Sequence, residues 1–208
     1  MTRPRGVPHP RLPGRVIGRE EILTDEAAAW TVASTEVAYD SAYLSVTVDR
    51  IVDPGGATHD RAVVRPNGAV GVVVIDEDDR MLLIAQYRHP VGRRLLEIPA
   101  GTLDVVGEPP RDAAARELAE EADLVAGQWS DLLTLYASPG YSSERWDVFV
   151  ATDLTPVPPD ERTDRQAEEA DMEHWWLPVD DAVAAVLDGR ITDSMAVAAI
   201  LAVRARGE

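Results

Sequence analysis

Residues 96–124 read LEIPAGTLDVVGEPPRDAAARELAEEADL, and this stretch carries the clearest structural signal in the chain. Its second half follows Pro109-Pro110 and is rich in alanine, leucine and glutamate, which favour helices. Helical spacing places Leu118 and Ala122 one turn apart on the same side. The sequence therefore predicts a helix over residues 111–124, preceded by a glycine-containing loop.

This predicted helix carries three closely spaced glutamates. Glu117 and Glu121 are four residues apart and share one face, and Glu120 lies beside them. Like charges at this spacing destabilise an isolated helix, and a cation between them reverses that effect. Hard divalent ions such as Mg²⁺ and Mn²⁺ prefer carboxylate and carbonyl oxygens. The spacing alone fits either a metal site or a solvated acidic helix surface.

The rest of the chain predicts short strands and two further helices. Residues 1–18 contain four prolines and four arginines without periodicity, which is typical of a disordered arm. The predicted strands lie within 31–53, 61–65, 69–75, 80–87, 132–137, 146–151 and 174–177, and the helices at 179–187 and 193–206. Strands 69–75 and 80–87 are expected to pair as a hairpin, and Trp175-Trp176 to lie in the core. This order of elements favours an α+β sandwich.

Composition excludes several classes of protein. The 208 residues include 20 basic and 37 acidic residues, a net charge of −17, which argues against nucleic-acid binding. The absence of cysteine excludes disulfide scaffolds, thiolate zinc sites and cysteine nucleophiles. Apolar runs such as residues 69–75 are too short to cross a bilayer, and no apolar stretch follows the basic N-terminus. We expect a cytoplasmic globular protein that binds neither nucleic acid nor membrane.

Residues 101–124 resemble the Nudix box, G-x5-E-x7-R-E-U-x-E-E-x-G-U, in which U is aliphatic. Nudix proteins hydrolyse a nucleoside diphosphate linked to another group. The matching positions are Gly101, Glu108, Arg116, Glu117, Leu118, Glu120, Glu121 and Leu124. Six residues rather than five separate Gly101 from Glu108, and Asp123 stands where the pattern has glycine. Aspartate tolerates a left-handed helix end better than most residues, so we interpret this second departure as local.

Flanking residues narrow the resemblance to the ADP-ribose pyrophosphatase branch. They are Gln86-Tyr87-Arg88, 96–101, Ser138-Pro139-Gly140 with Glu144-Arg145, and 189–194. The longer loop before Glu108 resembles that of actinobacterial members of this branch, whose loop carries the same extra residue. The fold that this implies is a Nudix-type α/β/α sandwich of mixed sheet, within the α+β class, with an N-terminal antiparallel β subdomain. The implied division is a disordered arm at 1–18, a dimer-forming subdomain at 19–60 and a Nudix hydrolase domain at 61–206.

The resemblance also implies a reaction. It is Mg²⁺-dependent hydrolysis of the diphosphate bond of ADP-ribose to AMP and ribose 5-phosphate, with Mn²⁺ as the alternative ion. The enzyme is expected to be a homodimer with swapped N-terminal subdomains. One alternative is a pyrophosphatase for another nucleotide sugar, such as GDP-mannose or ADP-glucose. The other is a catalytically silent Nudix-like domain that senses ADP-ribose, against which the intact glutamates argue.

Carried over residue by residue, the resemblance assigns the metal and catalytic roles. The metal ligands are the main-chain carbonyl of Ala100 and the side chains of Glu117 and Glu121, and Glu120 binds a second or third ion or orients its neighbours. Arg116 is expected to hold a carboxylate of the box in its ionised form, and an ordinary pair with Glu120 also fits it. The general base is expected on the loop at 166–171, with Glu168 as first choice and Glu169 as second. A solvated acidic loop is the alternative there.

The substrate contacts implied by the resemblance come from several parts of the chain. They are Arg61, Arg88, Glu97, Pro139 and Glu144. The guanidinium group of arginine matches a phosphate with two parallel hydrogen bonds, which is why Arg61 and Arg88 are the candidates for the diphosphate and its flanking ribose. Members of the branch stack adenine between aromatic residues, for which Trp30, Tyr39 and Tyr43 are available. Core or interface positions fit these three aromatic residues better.

Overall fold

The computed structural model describes residues 6–19, 21–166 and 170–207. Its strands are β1 (Val7–Pro8), β2 (Arg15–Val16), β3 (Thr31–Asp40), β4 (Leu44–Val52), β5 (Thr58–Pro66), β6 (Ala69–Val74), β7 (Arg80–Arg88), β8 (Arg93–Glu97), β9 (Ala100–Thr102), β10 (Leu124–Tyr136), β11 (Arg145–Pro156) and β12 (Glu173–Pro178). Its helices are α1 (Pro110–Ala122), α2 (Val179–Leu187) and α3 (Ser194–Arg206), with a 3-10 turn at His89–Val91.

Two sheets form the centre of the protein. One has the strand order β10-β11-β6-β9 and the other β12-β7-β8. β6 runs parallel to β11 and antiparallel to β9, so the larger sheet is mixed. The α+β class and the mixed sheet predicted from the sequence are therefore confirmed.

Alternating side chains of β6 build a core on both faces of the larger sheet. Val72 and Val74 pack in a cluster with Leu118 of α1, whereas Val73 packs in a second cluster with Ile200 of α3. All five side chains are fully buried. Successive residues of a strand point to opposite faces, so this unbroken valine run needs helices on both sides. The resulting layers confirm the predicted α/β/α sandwich.

Helix α1 confirms the helix predicted from residues 111–124 but ends earlier, at Ala122. Asp123 terminates it in the left-handed conformation, with φ 54° and ψ 37°, and donates its N–H to the carbonyl of Leu118. Aspartate therefore occupies the left-handed position that the Nudix pattern gives to glycine.

The predicted pairing of strands 69–75 and 80–87 is wrong. β6 and β7 lie in different sheets, and only an isolated bridge between Ile75 and Met81 joins them. Each strand has neighbours on both edges, β11 and β9 for β6 and β12 and β8 for β7. The polar turn after Ile75 therefore carries the chain from one sheet to the other. The short strands β8 and β9, which flank Ile98-Pro99, were not predicted.

The assignment of Trp175 and Trp176 to the core is also wrong. Their exposed fractions are 54% and 40%. They lie on β12, which is the edge strand of its sheet and pairs, within the part of the chain that the structure describes, with β7 alone. Because consecutive strand residues point to opposite faces, the exposure of both tryptophans means that this chain covers neither face of β12 completely.

The N-terminal strands form a separate antiparallel sheet of order β3-β4-β5. Its strand β5 is tied to the loop before β11, because Val64 donates its N–H to the Tyr141 carbonyl (2.8 Å) and accepts from the Ser143 N–H (3.0 Å). The division predicted after residue 60 falls within β5. In the segment predicted as a disordered arm, β1 pairs with β2. No helix in the described part of the chain is long and apolar enough to cross a membrane.

Candidate active site

The carboxylates of Glu117 and Glu121 lie against the main chain at the start of β9. Glu121 is buried, and its Oε2 accepts a hydrogen bond from the Ala100 N–H at 2.8 Å. Glu117 packs on Gly101 so closely that a Cβ at residue 101 would lie 1.9 Å from the Glu117 Cδ. Glycine at 101 therefore makes the space that this carboxylate occupies.

Arg116 binds several carboxylates of the same segment. Its Nη1 donates to Glu117 at 2.7 Å and to Glu120 at 3.4 Å. Its Nε and Nη2 donate to the two oxygens of Glu108, at 3.3 and 3.1 Å. Hydrogen bonding to Glu108, together with the charge of Glu117, raises the pKa of Arg116 above its ordinary value. The longer loop thus still brings Glu108 to Arg116, and the alternative pair with Glu120 is present as well.

The oxygens around Ala100 suit a hard divalent cation. No three histidine, cysteine, aspartate or glutamate side chains converge as an all-side-chain metal site within residues 6–19, 21–166 and 170–207. Mg²⁺ seldom uses such a cage, because it keeps several waters and binds one or two carboxylates together with substrate phosphates. Glu117, Glu121 and the main-chain carbonyl of Ala100 are a donor set of that type. The residues present therefore fit a hard divalent cation.

An open cleft of about 590 Å³ lies beside these carboxylates. Arg88, Glu97, Ala100 and Glu144 line it, and all four were predicted from the sequence. Arg88 binds the buried Glu97 with two hydrogen-bonding groups, Nε to Oε1 at 2.9 Å and Nη2 to Oε2 at 2.6 Å. This hydrogen bonding raises the pKa of Arg88. A cation of fixed orientation thus lies in the same cleft as Ala100.

Other predicted residues lie apart from this cleft. Arg61 is exposed on β5, where its Nη1 donates to the Asp60 carbonyl at 3.0 Å, and Pro139 is exposed in the loop before β11. Neither lines the cleft. Glu168 and Glu169 lie outside the described residues. The three candidate aromatic residues are exposed rather than in the core of the chain: Trp30, Tyr39 and Tyr43.

Two contacts with the C-terminal end of α1 were not predicted from the sequence. Arg165 donates to the main-chain carbonyl of Glu120, and His174 contacts that of Glu121. Each contact joins residues 45 or 53 positions apart in the chain. The sequence has no local signal for such contacts, since they depend on the tertiary fold.

The comparisons with known proteins agree with this geometry. The model of the NUDIX domain family matches residues 65–197, more than half of the chain. The chain belongs to the Nudix family. The matched residues begin within β5 and end within α3, and they include α1 and the residues that line the cleft.

Several Nudix relatives are similar over most of their length. The ADP-ribose pyrophosphatase of Mycobacterium tuberculosis is 44% identical over 172 residues, 83% of this chain and 82% of that protein. The ADP-ribose pyrophosphatase of Bacillus subtilis is 29% identical over 170 residues, 82% of this chain and 89% of that protein. A solved ADP compounds hydrolase shares the fold with a TM-score of 0.73 at 23% identity, covering 88% of this chain and 96% of that one.

Proposed function

We propose that this Nudix protein hydrolyses the diphosphate bond of ADP-ribose to AMP and ribose 5-phosphate, with Mg²⁺ as its ion and Mn²⁺ as the alternative. The observation that carries the proposal is the placement of Glu117 and Glu121 against Gly101 and Ala100, on the edge of the cleft that Arg88 lines. The two ADP-ribose pyrophosphatases described above support the choice of substrate. The cytoplasmic location stays a prediction.

In this proposal the chain binds the diphosphate through a divalent ion, which its carboxylates hold, and through Arg88. Glu117, Glu121 and the Ala100 carbonyl hold the ion, and Glu120 orients its neighbours or binds a further ion. A bound divalent ion neutralises diphosphate charge, polarises a phosphorus and activates water. Arg116 keeps Glu117 in place and ionised. With a net charge of −17, the chain depends on such local positive charge to bind an anionic substrate.

Arg88 is proposed to bind the diphosphate. Its hydrogen bonds to Glu97 use Nε and Nη2, which leaves Nη1, among the described contacts, for a phosphate oxygen. Arg88→Lys should raise the KM for ADP-ribose about tenfold with a smaller change in kcat, because lysine cannot keep the two-nitrogen pair with Glu97 and present a third nitrogen to phosphate. Steady-state kinetics at saturating Mg²⁺ measure this. Arg80→Lys, at the opposite end of β7, is the control, and an unchanged KM for Arg88→Lys would contradict the role.

We propose Glu168 as the general base, with Glu169 as the second choice. The described residues on either side of this segment contact α1 and β8: Arg165 binds the Glu120 carbonyl, and Asp171 binds Arg94. Glu168→Gln should lower kcat about 100-fold and leave KM nearly unchanged, which is the signature of a group that acts in the transition state. A loss confined to Glu169→Gln would assign the role to Glu169, and full activity of both variants would exclude both residues.

We further propose a homodimer with swapped N-terminal subdomains. Every residue of β3 is exposed, including Val37 at 62% and Tyr39 at 56%, and exposed apolar surface of this kind marks interaction sites. The exposed Trp175 and Trp176 offer a second apolar surface on the same chain. Sedimentation equilibrium should give twice the chain mass of 22.6 kDa, and Val37→Asp should shift it toward one chain mass. A monomer at micromolar concentration would exclude the dimer.

A substrate panel tests the proposed function. The purified protein is incubated with ADP-ribose, GDP-mannose or ADP-glucose, first with Mg²⁺ and then with EDTA, and the products are separated by chromatography. AMP and ribose 5-phosphate should form preferentially from ADP-ribose and only with metal. Preference for another nucleotide sugar would retain the hydrolytic site and reject ADP-ribose as substrate. Binding of ADP-ribose without turnover would indicate a sensor.

A further inference from the structure

The last turn of α1 is held by side chains from outside the helix. The final four carbonyls of a helix have no partner within it and must find one elsewhere. Arg165 Nε donates to the Glu120 carbonyl at 2.9 Å, and His174 Nε2 lies 2.6 Å from the Glu121 carbonyl. Because a carbonyl only accepts, Nε2 of His174 carries the hydrogen in this contact. Both residues are thus donors to the turn that carries Glu120 and Glu121.

Asp123 completes this arrangement. Arg165 Nη2 lies 2.8 Å from Asp123 Oδ2, and the two side chains are only 20% and 19% exposed. Arginine at a helix C-terminus is also attracted by the negative end of the helix dipole. Asp123 has a left-handed φ of 54°, a conformation that glycine adopts with less strain. The aspartate at this glycine position of the Nudix pattern therefore supplies a carboxylate that glycine lacks.

The last turn of α1, which Arg165 and His174 hold, carries two carboxylates of the proposed metal site. The side chain of Glu121 is fixed by the Ala100 N–H at 2.8 Å, while its main-chain carbonyl contacts His174. Glu120 has its carbonyl on Arg165, and its carboxylate lies 3.4 Å from Arg116. The main chain and the side chain of each glutamate are therefore both restrained by contacts. Partners that orient metal ligands commonly change metal affinity 10- to 100-fold when they are removed.

We propose that Arg165, paired with Asp123 and assisted by His174, is a positioning residue that fixes the metal-binding turn of α1. The proposal rests on the proposed function, because it assumes that Glu117 and Glu121 bind the divalent ion and that Glu120 orients them or binds a further ion. Arg165 touches neither the substrate nor the ion in this account. It acts by holding the main chain of Glu120, so its removal should weaken metal binding more than substrate binding.

Metal affinity is the decisive measurement for this proposal. Mn²⁺ binding to the full chain is measured by electron paramagnetic resonance without substrate, and the Mg²⁺ concentration for half-maximal ADP-ribose hydrolysis is measured in parallel. Arg165→Met should weaken both about tenfold, while the KM for ADP-ribose at saturating Mg²⁺ changes less than twofold. Arg204→Met is the control, because Arg204 Nε pairs with Asp180 of α2 at 2.8 Å rather than with α1 or Asp123.

Asp123→Gly separates positioning from folding. Glycine suits the left-handed helix end, so this variant should keep or raise the melting temperature while still weakening Mn²⁺ binding several-fold. Asp123→Gly still tests the positioning role if Arg165→Met does not fold. Wild-type Mn²⁺ affinity in the folded variants would overturn the positioning role alone. A wild-type protein that binds no Mn²⁺ and cleaves no ADP-ribose would overturn the proposed function, and the positioning role with it.

Discussion

Glu117→Gln and Glu121→Gln should each lower ADP-ribose turnover at least about 100-fold while leaving the protein folded. A divalent ion contributes several kcal/mol of transition-state stabilisation, and about 1.4 kcal/mol corresponds to a tenfold change in rate. Glutamine has nearly the same shape as glutamate, and its amide oxygen can still accept the Ala100 N–H at position 121. The change therefore removes the charge and largely keeps the packing.

Turnover numbers at saturating ADP-ribose and several Mg²⁺ concentrations measure this effect, with circular dichroism melting as the check on folding. Asp112→Asn is the matched control, because Asp112 is an exposed carboxylate in the first turn of the same helix. It should retain wild-type turnover. Wild-type turnover in both glutamine variants would remove Glu117 and Glu121 from the metal site.

Gly101→Ala should also lower turnover, by about 100-fold, although it changes no charged residue. The added Cβ would lie 1.9 Å from the Glu117 Cδ, so the flexible Glu117 side chain must move out of its position. A displacement of about 1 Å at a catalytic group can cost on the order of 100-fold in rate. Because the clash is with the end of a side chain rather than with main chain, the fold should survive.

The control for this prediction is Gly127→Ala. A Cβ at residue 127 would lie 2.1 Å from the Asp153 carboxylate, a clash of the same kind on β10, away from the residues that line the cleft. Its turnover should match the wild type. Equal losses in the two variants would mean that general destabilisation, and not displacement of Glu117, explains the effect of Gly101→Ala.

The sequence predicts much of this fold because its local signals are strong. The helix α1 follows from its periodicity and composition, and the strand β6 follows from its run of β-branched residues. Periodicity cannot say which strands share a sheet, and for this reason the hairpin of β6 and β7 was predicted wrongly. The exposure of Trp175 and Trp176 was also missed, because the apolar composition of β12 does not reveal that β12 is an edge strand.

The candidate site could be predicted where its residues are close in sequence. Fixed spacing within α1 placed Glu117 and Glu121 on one face, and the resemblance to a family added Ala100 and Arg88. The contacts of Arg165 and His174 with α1 join distant parts of the chain, so no local pattern indicates them. The left-handed conformation of Asp123 was predictable from its position in the box, whereas its ion pair with Arg165 was not.

Hydrolysis of ADP-ribose in water enriched in oxygen-18 tests the central claim most directly. With Mg²⁺, the protein should produce AMP and ribose 5-phosphate, with one oxygen-18 atom in the phosphate of only one of the two products. With EDTA, or in Glu117→Gln, ADP-ribose should persist. Intact ADP-ribose with Mg²⁺ and wild-type protein, or equal cleavage in EDTA, would contradict a metal-dependent hydrolase built on the carboxylates of α1.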